Sequence, residues 1–350
     1  MQQYYFKKLK GFNNHKLVIK IKDKSAGLKG FIAIHNDSLG LPAVGGTRMF
    51  PYKSEKDALI DVLKLSRAMT YKCAMAKVPH GGAKGVIIGN PKKDKTEKLL
   101  KAYAKAVNSL KGEFYTGEDV GIEQNDVNIM LKFSDYFIGR PEFAGDPSPY
   151  AALSTFYSIQ SAVNFIYKKS SLDGLKIAIK GLGKTGGELV NLLYKAFATI
   201  YVSDIDKTAL TRIKRKFPKV KITDNKKIHT LPVDVYSPCA MGDEFSMKNV
   251  SKIKARIICG AANNQLADNK AGDWFFKHNI IYVPDYVANS GGLINVVDEL
   301  AKDGYKRGRV LVRINEVKNM VRKILTLSLR TNKSPHIIAD VIAESYFNNR

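Results

Sequence analysis

The hexapeptide Gly181-Leu182-Gly183-Lys184-Thr185-Gly186 has the spacing GxGxxG. It follows the apolar run Lys176-Ile177-Ala178-Ile179 and precedes a helix expected to start near Gly187. In that strand–loop–helix setting such a loop cradles a pyrophosphate. The first glycine makes the tight turn, the second lets backbone amides approach the phosphates, and the third lets helix and strand pack closely. The helix N-terminus adds N–H groups and partial positive charge. The next run, Ile200-Tyr201-Val202-Ser203, ends at Asp204, 18 residues beyond Gly186. A carboxylate there can accept hydrogen bonds from the adenosine ribose and repel an extra 2′-phosphate, which predicts NAD in preference to NADP. Lys207 is a cation with which a 2′-phosphate could pair, and it works against strict preference. The alternative is a glycine turn in some other α/β protein, with Asp204 a solvated strand end.

Three further segments hold residue types suited to oxidising an amine. They are Gly45-Gly46-Thr47-Arg48-Met49, Met69-Thr70-Tyr71-Lys72 and His80-Gly81-Gly82-Ala83-Lys84; Glu118-Asp119-Val120-Gly121 adds a carboxylate. An α-amino acid must be held by its carboxylate, and a lysine ammonium beside a glycine-rich backbone does this well. Hydride leaves Cα, and a water is then activated against the imine. That base must work near neutrality, a range a lysine reaches when crowded by another cation or stripped of water. A carboxylate can shuttle the proton of the departing ammonia. Singly these residues say little: most of 57 lysines and arginines are solvated, and glycine pairs are usually turns. Residue types and spacing lead to an NAD-dependent oxidoreductase and no further.

The elements that must position these residues are legible in outline. Leu17–Ile21 and Gly30–Ile34 read as strands. Ser54 can cap a helix, with Asp57 three residues on, and Ala58, Leu59, Val62, Leu63, Leu65 and Met69 recur at near-helical spacing. The Met69–Lys72 segment closes that helix. His80–Lys84 precedes a short strand, Gly85–Ile88, and a further helix spans roughly Thr96 to Leu110. Beyond Pro147 and Pro149 short apolar runs at 175–180, 200–203, 233–236, 256–259 and 280–284 alternate with helical segments. This is the pattern of a parallel sheet with helices on both faces. A boundary near residue 146 predicts domains of 1–145 and 146–324, with helices in about 325–350 returning to the first.

At 350 residues the chain has room for two domains with their own cores. Cys73, Cys239 and Cys259 are odd in number and far apart, with no metal-ligand spacing, which predicts neither a disulfide framework nor structural zinc. No leader-like apolar segment opens the chain and no run is long enough to span a bilayer, so the expectation is a cytoplasmic protein without membrane contact. The net charge of +25 would suit a polyanion, but the lysines are spread along the whole length. A solvated lysine-rich surface, with no nucleic-acid partner, is expected.

The order and wording of these segments resemble the glutamate/leucine/phenylalanine/valine dehydrogenase superfamily, and most closely its leucine and phenylalanine members. GGTRM, AMTYK, GGAKGVIIG, the EDVG run, DPSP, GLGKTGG, the SPCAMG run at 237–242, GAANNQL at 260–266 and PDYVANSGGLINVVDEL at 284–300 cover most of the chain. The resemblance implies an α/β fold of two domains, an N-terminal substrate domain and a Rossmann-type NAD domain, with the active site in the cleft between them. It implies that Lys72 binds the substrate carboxylate, that Lys84 is the general acid/base acting on water, and that Asp119 shuttles protons at the amino group. Val44, Gly46, Met69, Gly117, Asn264, Leu293 and Val296 would contact substrate. Gly181, Leu182, Gly183, Lys184, Thr185, Gly186, Asp204, Ala240 and Asn263 would contact NAD. The expected partners are an amino acid, its 2-oxo acid and ammonia, in a homo-oligomer.

Ala83 replaces the usual third glycine of one motif. Ala151 stands where leucine enzymes tend to have a threonine that holds the nicotinamide carboxamide, and Thr155 lies one helical turn on. Val44 occupies the place of a lysine that glutamate enzymes use for the side-chain carboxylate, which favours an apolar substrate. Val44 and Val296 suit an aliphatic side chain. Gly117 and Leu293 fall where phenylalanine enzymes tend to carry glycine and leucine, and a glycine at 117 is expected to make room for a ring. Leucine or another branched-chain amino acid is the first expectation and phenylalanine the alternative. A non-catalytic dinucleotide-binding or nucleic-acid-binding protein is the remote one.

Overall fold

A computed structural model describes residue 9 and residues 11–347. The chain forms two units. One holds the residues up to Asp146 together with Val296–Lys306 and those from Ala343 on; the other is Pro147–Asn295 with Arg307–Ile342.

Among the described residues the first unit has five strands: β1 (Leu17–Asp23), β2 (Leu28–Asn36), β3 (Leu41–Phe50), β4 (His80–Ile88) and β5 (Phe114–Gly117). Their order is β1-β2-β4-β3-β5. β1 and β4 run antiparallel to β2, whereas β3 runs parallel to both β4 and β5. Both faces are covered. Phe31, Ala33 and Val86 pack with Ala58, Leu59, Val62 and Leu63 of α1 (Glu55–Met75). Ile32, Ile34, Ala83 and Ile87 pack with Leu99, Leu100, Tyr103 and Val107 of α2 (Glu97–Asn108) and with Val127 and Met130 of α3 (Gln124–Leu131). Successive residues of a strand thus serve opposite cores. Ser54 caps α1 by accepting from the Asp57 amide at 3.1 Å, as its place in the sequence predicts.

The His80–Lys84 segment lies inside β4 and not ahead of it, and Gly45-Gly46 lies inside β3 and not in a turn. Close packing is the reason. A Cβ on Gly82 would stand 2.0 Å from the Thr70 amide nitrogen of α1, and one on Gly45 1.8 Å from the Ala83 carbonyl oxygen. Glycine here lets a helix and a neighbouring strand approach the backbone.

The second unit, among the described residues, holds β6 (Lys176–Lys180), β7 (Thr199–Ser203), β8 (Lys221–Ile222), β9 (Val235–Pro238), β10 (Ile257–Ile258) and β11 (Ile281–Tyr282). All pairings are parallel and the order is β11-β10-β9-β6-β7-β8. Read from β8, that is the 3-2-1-4-5-6 order of a Rossmann-type sheet, with its switch point between β6 and β9. The helices wholly or partly in this unit are α4 (Ser148–Tyr167), α5 (Lys184–Lys195), α6 (Lys207–Lys216), α7 (Asn269–Lys277), α8 (Asp285–Ala288), α9 (Gly291–Val297), α10 (Arg307–Asn315), α11 (Val317–Thr331) and α12 (Pro335–Phe347).

The C-terminal return differs from expectation. All of α11 and the start of α12 belong to the second unit; only residues from Ala343 on, with the separate stretch Val296–Lys306, join the first. The reason is where partners lie. Ser161 of α4 donates to the Lys318 carbonyl and Tyr286 of α8 to Asp340, while Tyr71 of α1 donates to Glu344 at 2.6 Å. Among the described residues no helix is long and apolar enough to cross a membrane, and no group of three or more His, Cys, Asp or Glu could hold a metal ion.

Candidate active site

The glycine loop leaves β6 at the switch point. Gly181 has φ +99°, a left-handed conformation that favours glycine. Its amide donates to the Ser203 carbonyl at the end of β7. A Cβ on Gly181 would meet the Ala240 amide nitrogen at 2.7 Å, so the segment that leaves β9 also closes on the loop. A Cβ on Gly186 would stand 2.0 Å from the Gly181 carbonyl oxygen, the close helix–strand contact predicted for the third glycine. Gly183 is the opposite case: a Cβ there meets nothing within 4 Å. Gly183 is also the N-cap of α5 and supplies no side chain to that helix terminus. The backbone is therefore bare where a phosphate would approach, and the loop fits a dinucleotide. Leu182, Lys184 and Asp204 line one pocket with Arg212 and Lys216 of α6; Thr185 stands in the first turn of α5.

Asp204 has a second task. Its carboxylate accepts from the Leu182 amide at 2.5 Å and from the Asp206 amide at 2.8 Å, tying the end of β7 to the glycine loop. Asn263 accepts at its side-chain oxygen from Asn289 at 2.7 Å, and Asn264 sits after β10 at φ +53°. Thr155 cannot stand in for the threonine absent at 151. It is wholly buried, with its hydroxyl 2.8 Å from the Ala151 carbonyl and 3.3 Å from the Ala288 carbonyl.

In the first unit Val44, Gly46 and Arg48 alternate along one face of β3, and Lys84 of β4 lies on that face too. Lys84 is only 6% exposed. Its Nζ lies 3.3 Å from Oδ1 of Asp119, in the loop after β5. A Cβ on Gly46 would be 3.2 Å from Lys84 Nζ and 3.0 Å from Asp119 Cβ, so Gly46 forms the floor beneath the pair. Asp119 Oδ2 accepts from Arg48 Nε at 2.8 Å. Arg48 also reaches Asp61 of α1 at 3.2 Å, and Asp61 accepts from Tyr52 at 2.5 Å.

Burial lowers the Lys84 ammonium below its ordinary value; the Asp119 carboxylate opposes this and the Arg48 guanidinium reinforces it. The crowding cation that the chemistry asks for is here the Arg48 guanidinium. Lys72 is half-buried in the last turn of α1, which continues three residues beyond it, to Met75. Burial raises the Asp119 carboxyl, but the neighbouring Lys84 and Arg48 outweigh it and hold the group below the usual carboxylate range.

Gly117 also has another reason than the one expected. It pairs with Gly46 in register. A Cβ on it would stand 2.7 Å from the Ile138 carbonyl oxygen. The missing methyl group faces backbone, so glycine at 117 serves close packing and not room for a ring. Val44 is wholly buried, Met69 half-buried, and a Val296 methyl lies 3.8 Å from where a Cβ on Gly139 would be. Asn264 and Leu293 belong to the second unit, the other substrate-side residues to the first. Sequence reasoning gave Arg48 no role although it quoted the motif holding it, and it missed Asp61 and Tyr52. Asp61, with its acidic side chain on α1, has no local signal that separates it from a solvated one.

The profile of the Glu/Leu/Phe/Val dehydrogenase dimerisation domain matches residues 14–136. The Glutamate/Leucine/Phenylalanine/Valine dehydrogenase profile matches residues 149–334. Leucine dehydrogenase of Geobacillus stearothermophilus is 38% identical over 334 residues, 95% of this chain and 90% of that protein. Phenylalanine dehydrogenase of Lysinibacillus sphaericus is 41% identical over 311 residues, 87% and 81% of the two chains. The crystal structure of L-tryptophan dehydrogenase from Nostoc punctiforme superposes with a TM-score of 0.81 at 36% identity, covering 96% of each chain. A glycine cradle for a dinucleotide in one unit, a buried lysine–aspartate pair in the other, and matches of this extent together establish that the chain belongs to the Glu/Leu/Phe/Val family of amino-acid dehydrogenases.

Proposed function

We propose that this amino-acid dehydrogenase oxidatively deaminates an apolar L-amino acid, leucine or another branched-chain amino acid first, with NAD as cofactor. The amino acid, NAD⁺ and water give the 2-oxo acid, ammonium, NADH and a proton, and the reaction is reversible. The observation that carries the reading is the buried Lys84–Asp119 pair over the floor of Gly46.

The chemistry that bound NAD would supply is acceptance of the hydride from Cα. Lys72 pairs with the substrate carboxylate and fixes Cα in place. Lys84, poised below an ordinary lysine, takes a proton from the water that attacks the imine carbon. Asp119, held ionised by two cations, exchanges a proton with the departing amino group. Gly181, Gly183 and Gly186 admit the pyrophosphate, and Asp204 fixes the loop that does so.

Two features bear on the substrate side chain. Val44 is wholly buried where a side-chain carboxylate would need a cation. Gly117, whose missing methyl faces the Ile138 carbonyl, no longer argues for a ring. NADH formation over a panel of leucine, valine, isoleucine, phenylalanine and tryptophan tests the reading. Leucine should exceed phenylalanine in kcat/KM by at least tenfold, within the roughly 10–200-fold that hydrophobic pockets provide. A larger value for phenylalanine would reverse the substrate assignment, and no turnover of any member would reject the activity.

A further inference from the structure

We propose that Arg48 is a positioning residue for the proton-transfer pair, fixing one oxygen of Asp119 from β3 while itself anchored on Asp61 of α1. This rests on the roles given to Lys84 and Asp119 above. Asp119 has two oxygens and divides them: Oδ2 accepts from Arg48 Nε at 2.8 Å, and Oδ1 faces Lys84 Nζ at 3.3 Å. A carboxylate held by one edge in this way cannot rotate the other oxygen away from the lysine. The guanidinium is planar and has donors left over, and one of them spans to Asp61 at 3.2 Å. Tyr52 donates to the same oxygen of Asp61 at 2.5 Å. The array Lys84, Asp119, Arg48, Asp61 thus alternates in charge across β4, the loop after β5, β3 and α1, with Arg48 and Asp119 side chains only 19% and 15% exposed.

The array also sets the ionisation of its terminal lysine. The groups acting on Lys84 are Asp119 from the loop after β5, Arg48 from β3 and Asp61 from α1. Arg48 disfavours the ammonium, whereas Asp119 and the more distant Asp61 favour it. Removing Arg48 should therefore move the lysine's titration to higher pH, and neutralising Asp61 should move it to lower pH. A residue that merely braced the fold would not produce shifts of opposite sign.

The test is the pH dependence of kcat/KM for amino-acid oxidation by Arg48→Met, Arg48→Lys and Asp61→Asn. It is paired with titration of the Lys84 ¹³Cε resonance by NMR, assigned by its loss in Lys84→Met. In Arg48→Met the rising limb should move up by about one pH unit and the rate at neutral pH fall about tenfold, since on that limb one unit is a factor of ten. Arg48→Lys keeps the charge and should bring the limb back to within half a unit. Asp61→Asn should move it down. A folded Arg48→Met with an unmoved limb and kcat within twofold of the parent would overturn the proposal, and so would shifts of like sign in the two lines. If Arg48→Met does not fold, Asp61→Asn and Arg48→Lys decide: a limb that does not fall in the first, or that rises by a full unit in the second, overturns it. A parent that oxidises no amino acid rejects the functional reading instead, and the NMR titration of Lys84 still reads Arg48 independently.

Discussion

Lys84 and Gly46 make different contributions at one spot, and substitution can separate them. Lys84→Ala removes the proposed base. General acid–base catalysis is worth roughly 10²–10⁴-fold, so kcat should fall by that order while NADH binding, which rests on the glycine loop of the other unit, stays within twofold. Gly46→Ala leaves both groups present but puts a methyl 2.6 Å from the Glu118 carbonyl oxygen, a backbone atom that cannot swing aside. The loop carrying Asp119 must give way, and displacements of about 1 Å at a reacting centre cost about 10²-fold. Steady-state rates beside NADH fluorescence titration check both, and a Gly46→Ala enzyme with parental kcat would remove Gly46 from the site. On the proposed role of Lys84 the rate of the parent should rise with pH to a plateau, because a lysine serves as a base only when deprotonated, and it should reach that plateau below the range of a free lysine.

Elements decide whether such residues can be foreseen. The glycine loop was legible because a turn, a close approach and a helix start each demand glycine at a set spacing, and Gly181, Gly183 and Gly186 fill those needs one each. α1 was legible because Ser54 and the apolar period announce it. β3 was not fully legible, since Gly45-Gly46 suggests a turn when the packing partner is unseen. The partner is the Ala83 carbonyl of β4, brought close by pairing across intervening chain that no local pattern records. The Arg48–Asp61 contact is hidden for the same reason: β3 and α1 meet only in the fold. Asp204 ties the loop at the junction of elements and, under the proposed function, also serves as a ligand carboxylate. Asp204→Ala should weaken NAD binding at least tenfold and also narrow the gap between NAD and NADP, as measured by kcat/KM for each. Loss of affinity with an unchanged ratio would leave the carboxylate only the tie.

At the scale of the first unit, stability is coupled to pH through two buried histidines. His15 and His35 stack edge to face with centroids 4.9 Å apart. Burial lowers His15 from 6.5 to about 4, with the Leu63 carbonyl opposing and Arg67 assisting. His35 falls from 6.5 to about 3, through burial first and then the neighbouring His15 and Arg67. His35 joins β2 to α1 through Thr70 at 2.9 Å, and its ring also meets Phe347 near the chain's end. Below pH 6.5 the unfolded chain takes up protons that the folded one refuses. Stability present above 6.5 is then lost as pH falls toward 4 and 3, by about 1.4 kcal/mol per unit for each histidine. The midpoint of urea unfolding should drop steadily from pH 6.5 to 4.5, and His35→Gln should flatten the slope by about half. A midpoint constant over that interval would show that the rings are not excluded from protonation.

The close-packed glycines have a consequence for anyone wishing to redirect the enzyme to another side chain. Gly45, Gly46, Gly82 and Gly117 each have backbone within 2.7 Å of where a first carbon would go. Their strands can host no larger residue without moving, so variants randomised there displace the backbone before they reshape any pocket. Val44, Met69 and Val296 carry side chains that can be trimmed or exchanged. Evolution in this neighbourhood has the same choice: the floor beneath Lys84 and Asp119 is frozen by geometry, and change is open only at the side chains that stand around it.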